Sequence, residues 1–172
     1  MSSGVNSENE AYAAFLYYHV STFVERLRQL PRDRWDWQVE VSAPSPRILA
    51  VHAWQFLVCD RQHILEPDCS KHADVPEPPA EEEALCDILL SEAETWRTMI
   101  LGLSPDQLDE PRMQFASREV NVRWLICHML QNCIYKHGQF SLMYFALGLD
   151  GTEPYTAPFP NPIYALMRKA EL

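Results

Sequence analysis

The feature that most constrains the fold of this chain is where its helix-breaking residues lie. Only five glycines occur in 172 residues, and the 13 prolines cluster outside a few long stretches. Proline is the residue that a helix interior tolerates least, so this distribution favours long helices joined by proline-marked connections. Apolar residues inside these stretches recur at spacings of three and four, which is typical of amphipathic helices.

Four such stretches predict four helices, at about 8–30, 45–66, 81–103 and 121–147. Ser45 is a helix-capping residue followed by proline, and the acidic run 81–83 suits a helix N-terminus. Ser104-Pro105 closes the third helix. Residues 67–80 are proline-rich and polar, which predicts a long crossover loop between helices 2 and 3. The possible strand at 39–41 is short and isolated, so we predict an all-α four-helix bundle.

The length favours one domain that spans residues 1–172. Residues 1–9 are polar and are expected to be disordered. The segment 151–172 is proline-rich and is expected to pack irregularly along the bundle.

Charge and cysteine content predict the class and compartment of the protein. The formal charge of −10 argues against a nucleic-acid binder, because duplex binding requires basic side chains on phosphates. No apolar run approaches the ~20 residues of a membrane span. The N-terminus lacks the basic and apolar regions of a signal peptide. The five cysteines include no CxxC pair, so reduced thiols and a cytoplasmic location are expected.

A row of polar residues in the last helix is the first candidate for a functional site. His128, Asn132 and Lys136 are spaced four apart and share one helix face. His52 lies one turn into the second helix, so a small pocket between the two helices would hold all four. A His on one helix facing two ligands spaced i, i+4 on another is a workable metal geometry. The competing interpretation is that both histidines are core residues with hydrogen-bonded rings.

Three neighbours extend this hypothesis. Asp60 lies eight residues beyond His52, on roughly the same face, and is a candidate counter-ion for Lys136. His19 belongs to the apolar stripe of the first helix and either packs there or faces the same cavity. Cys133 is either a thiol whose pKa Lys136 lowers or a buried, inert residue.

The segment LICHMLQNCIYKHGQFSLMYFALGL (125–149) resembles the signature helix of the DinB/YfiT-like superfamily, which reads H-x-x-x-H-x-x-x-H-R-G-Q before an apolar run ending in Leu-Gly. The segments LPRDRWDWQ and APSPRILAVHAW, before and into the second helix, and LSPDQLDEP, before the last, are similar to the family as well. The resemblance covers about residues 10–150. It implies a four-helix bundle with a long crossover and a homodimeric assembly.

The resemblance also implies a divalent metal of the Zn, Ni or Mn type held by three histidines. His52 matches the ligand of the second helix, and His128 precedes the remaining ligand pair. Those two ligand positions fall on Asn132 and Lys136, so we expect a degraded metal site in which His52 alone is retained. Lys136 would then supply a fixed positive charge where the family has an ion.

Characterised members of the family include thiol-dependent transferases and a mycothiol-dependent isomerase. The resemblance therefore implies a transferase-like enzyme that binds a small molecule in the inter-helix pocket. The alternative is a non-catalytic binding or interaction module that kept the fold and lost the metal site. Neither hypothesis requires a nucleic acid or a membrane as partner.

Overall fold

The computed structural model describes residues 7–66, 77–114 and 118–149. The helices of this part of the chain are α1 (Glu8–Gln29), α2 (Pro46–Leu65), α3 (Glu82–Gly102), the single turn α4 (Pro105–Leu108) and α5 (Val122–Ala146). Both α1 and α2 pack against α3 and against α5, so the four long helices enclose one apolar core. The predicted all-α four-helix bundle is confirmed. No described helix is both long and apolar enough to cross a membrane.

Side-chain caps set the beginnings of three long helices. The Ser7 hydroxyl accepts from the Glu10 amide while the Glu10 carboxylate accepts from the Ser7 amide, which forms a capping box at α1. Ser45 accepts from the amide of Ile48 at α2, and Asn121 caps α5 in the same way. Residues 7–9, which belong to the segment expected to be disordered, form the cap and the first residues of α1, whereas residues 1–6 lie outside the described residues.

The connection between α3 and α5 departs from the prediction. Ser104 does not simply close α3: its hydroxyl caps α4 in a second capping box with Gln107. Two short strands follow, β1 (Pro111–Gln114) and β2 (Arg118–Asn121), and they pair antiparallel with Pro111 opposite Asn121. The all-α prediction is thus correct for the bundle, but it does not include this small β-hairpin.

The hairpin has a weak sequence signal because backbone pairing, rather than an alternating apolar pattern, holds it together. Met113 and Val120 are only half-buried. Arg112 anchors the hairpin to the end of α2, since its Nε donates to the carbonyl of Ile64 at 2.8 Å. The predicted tail at 151–172 and residues 67–76 of the crossover lie outside the described residues.

Candidate functional site

Lys136 points into the bundle from α5. Its side chain is 9% exposed, and its Nζ donates a hydrogen bond to Nδ1 of His52 on α2 at 2.8 Å. Within the described ranges Lys136 forms no ion pair with a carboxylate. The predicted Asp60–Lys136 pair is therefore wrong, because Asp60 contacts a different residue of the same row.

The environment of the Lys136–His52 pair disfavours positive charge. Burial lowers the pKa of Lys136 from its ordinary value. Burial and, after it, the charge of Lys136 lower the pKa of His52 as well. A neutral imidazole with a free lone pair on Nδ1 is the form that accepts the observed hydrogen bond.

Asp60 is paired with His128 instead. The Asp60 carboxylate is 2% exposed, and its Oδ2 accepts from Nδ1 of His128 at 2.9 Å. This bond places the proton on Nδ1, which leaves Nε2 of His128 to accept from Nδ2 of Asn132 at 3.3 Å. Oδ1 of Asp60 lies 3.8 Å from Nδ1 of the buried His63. A buried carboxylate thus fixes the tautomer and the orientation of His128.

The hairpin adds a stacked layer to this arrangement. The Trp124 ring lies parallel to the His128 ring, with centroids 5.0 Å apart and planes 11° apart. The guanidinium of Arg118, on β2, lies 4.7 Å from the Trp124 ring centroid. The sequence offered no signal for Arg118, because the hairpin that carries it was not predicted.

A small cavity lies between α1, α2 and α5. Its volume is about 10 Å³, close to what one water molecule needs. Asn132 and Lys136 line it, whereas His52 and His128 contact these two residues and do not line it themselves. The other lining residues are mostly apolar: His19, Val20, Phe23, Ala53, Phe56, Leu57, Met129 and Cys133.

The His19–His137 pair and Cys133, which lie at or near the cavity, are uncharged at neutral pH. Nδ1 of His19 lies 3.0 Å from Nδ1 of His137, and burial lowers their pKa values to about 4 and about 3 respectively. Burial also raises the pKa of the Cys133 thiol to about 12. Of the two interpretations of Cys133, the structure favours the buried, inert thiol.

The residues at the family's ligand positions do not fit a divalent ion. An imidazole, an amide and an amine occupy these positions, and Nδ1 of the imidazole accepts from Lys136. A lysine ammonium has no lone pair for a metal ion, and amides are weak ligands for zinc-like ions. The described part of the chain contains no group of three or more His, Cys, Asp or Glu side chains placed to hold a metal.

Comparison with known proteins supports the fold assignment. A DinB-like protein from Bacillus subtilis, YjoA, superposes with a TM-score of 0.67 at 16% sequence identity, over 86% of this chain and 95% of that one. No protein-family model and no curated protein matches the sequence. At this identity the likeness shows the fold alone, so the chain has a DinB-like fold, as its sequence predicted.

Proposed function

We propose that this DinB-like protein is a transferase-like enzyme that binds a small thiol without a metal ion. The observation that carries the proposal is the Lys136–His52 contact of 2.8 Å at the wall of the inter-helix cavity. A metal in a thiol-dependent site stabilises the thiolate, and a lysine ammonium can stabilise the same negative charge. In this proposal Lys136 takes the place of the ion.

The surroundings of Lys136 support this role. A buried ammonium without a carboxylate is costly, and an anionic ligand would supply the missing partner. The thiol must come from the ligand, because burial keeps the nearest described candidate, Cys133, protonated. The exposed His52 lies at the solvent side of Lys136, where a ligand would enter.

The test is the reaction of glutathione or cysteine with 1-chloro-2,4-dinitrobenzene, in the presence and absence of a chelator. We expect the protein to accelerate the reaction equally in both, and Lys136→Met to remove the acceleration while the protein stays folded. Acceleration that a chelator abolishes, or that Lys136→Met leaves unchanged, would contradict the proposal.

The small volume of the cavity favours a second candidate function, the non-catalytic binding module. About 10 Å³ admits no ligand larger than water unless the side chains move, and the polar groups already pair with one another. If the protein accelerates no thiol transfer and Lys136→Met changes only its stability, this second function is the better description.

We also propose that the protein is a homodimer assembled through the outer face of α5. The outward face of this helix is apolar, and its residues include the exposed Ile134, Tyr135, Leu142 and Phe145. A twofold assembly would pair this face with its own copy.

A further inference from the structure

Lys136 is a buried amine in an apolar cavity, which is the environment in which lysine amines become reactive. Of the three lysines in the sequence, Lys71 and Lys169 lie outside the described residues. The Lys136 side chain is 9% exposed and lines a mostly apolar cavity, and its one hydrogen-bond partner among the described residues is the imidazole of His52. A structural lysine at such a depth is ordinarily matched by a carboxylate, and the described residues give it none.

Burial without a counter-ion favours the free amine over the ammonium. A free amine in an apolar pocket carries an available lone pair, which is how desolvated lysines become nucleophiles toward carbonyl compounds.

His52 supplies the proton transfers that such chemistry needs. Its Nδ1 lies 2.8 Å from Nζ, within direct proton-transfer distance, and its ring is exposed to solvent. The imidazole can therefore take a proton from the ammonium and return it to an oxygen that leaves.

We propose that Lys136 forms an imine with a small aldehyde or ketone that enters past His52. The ammonium gives one proton to His52, and the freed Nζ lone pair attacks the carbonyl carbon. His52 protonates the carbonyl oxygen, takes a second proton from the nitrogen and passes it to the new hydroxyl group, which leaves as water while the C=N bond forms. Ammonium and carbonyl compound thus become a protonated imine and water, with no oxidant or reductant.

This inference shares one premise with the proposed function, namely that a small ligand can enter the pocket, and rests on it only to that extent. The water-sized cavity admits a carbonyl group only if its lining side chains move, so the carbonyl end must be small, while the rest of the molecule would extend toward His52. Acetaldehyde and glyoxylate, without and with a carboxylate, are suitable probes.

The test is reductive trapping of each probe with sodium cyanoborohydride at pH 7, followed by peptide mapping of the three lysines. We expect Lys136 to be labelled at least about tenfold faster than Lys71 and Lys169, although it is a buried residue. His52→Ala should slow labelling of Lys136 at least about tenfold, and Lys169→Arg should leave it unchanged. Equal labelling of the three lysines, or slower labelling at Lys136, would overturn the inference.

Lys136→Met should remove the fast adduct and retain slow labelling at the other two lysines. Lys136→Arg, which keeps the charge but cannot form the imine, gives the same result if the methionine variant does not fold. Thiol transfer without an adduct at Lys136 would refute the imine and leave the proposed function standing. An adduct at Lys136 without thiol transfer would support the imine and refute the proposed function.

Discussion

His19 and His137 are two imidazoles that the fold buries side by side, so they link stability to pH. Their pKa values in the folded protein, about 4 and about 3, lie below the ordinary value of 6.5. Between pH 6.5 and these lower pKa values, the unfolded chain binds more protons than the folded one. The contribution of the two neutral histidines to the free energy of unfolding is therefore fully present above pH 6.5 and is lost as the pH falls below it.

The first prediction is that the free energy of unfolding depends on pH and that His19→Phe reduces this dependence. Each histidine contributes at most about 1.4 kcal/mol of unfolding free energy per pH unit within the window from 6.5 to 4. His19→Phe, which keeps an aromatic ring beside Phe15, should lower this slope by about one proton. Urea unfolding at several pH values measures the slope, and an unchanged slope would contradict the assignment of His19 as a buried neutral group.

The second prediction concerns the buried carboxylate of Asp60. Asp60→Asn keeps the shape but weakens the hydrogen bond to His128, and it should lower the unfolding free energy by about 1–3 kcal/mol. Asp109→Asn is the matched control, because its pairing with Arg123 is exposed and its loss should lower the unfolding free energy much less. Urea unfolding of both variants at pH 7 checks the difference; equal effects would show that the Asp60–His128 bond is not structurally important.

Single elements differ in how far the sequence predicts them. The sequence predicts the ends of the long helices closely, because a cap such as Ser45 and the proline-marked connections between helices are local signals. The hairpin was missed, since its pairing has little local signal. The row of His128, Asn132 and Lys136 also followed from spacing. The partners of that row did not, because they depend on how α2 is rotated against α5.

The third prediction compares Gly138, which lies inside α5, with Gly148, which follows the C-terminal end of that helix. Gly148 has a φ of 69°, in the left-handed region that disfavours other residues, so Gly148→Ala should destabilise the protein by about 1 kcal/mol. Gly138 lies within the helix with open space around it, so Gly138→Ala should stabilise it by about 0.5–1 kcal/mol. Thermal or urea unfolding should give opposite signs, and the same sign for both would contradict these placements.

On the scale of the whole molecule, the bundle brings three polar pairs to one side of α5. His52 with Lys136, Asp60 with His128, and His19 with His137 each join that helix to α1 or α2. The opposite side of α5 is apolar and exposed. One helix therefore carries both the candidate site and the proposed dimer face.

The fourth prediction tests that dimer face. Leu142→Glu places a charge on an exposed apolar residue, so it should convert the dimer to a monomer with little loss of helicity. Light scattering after size-exclusion chromatography measures the mass, and Thr98→Glu, on α3, serves as the control. A wild-type protein that is monomeric, or a Leu142→Glu variant that stays dimeric, would contradict the proposed interface.

The central claim is that the Lys136–His52 pair stands in place of a metal, and metal content at equal protein molarity tests it most directly. We expect the wild-type protein and His52→Ala to carry equally little zinc or nickel after mild, untagged purification. Asn132→His combined with Lys136→His should bind about one ion per chain through three imidazoles, and should lose it when His52 is also replaced. Near-stoichiometric metal in the wild-type protein that disappears in His52→Ala would contradict the account.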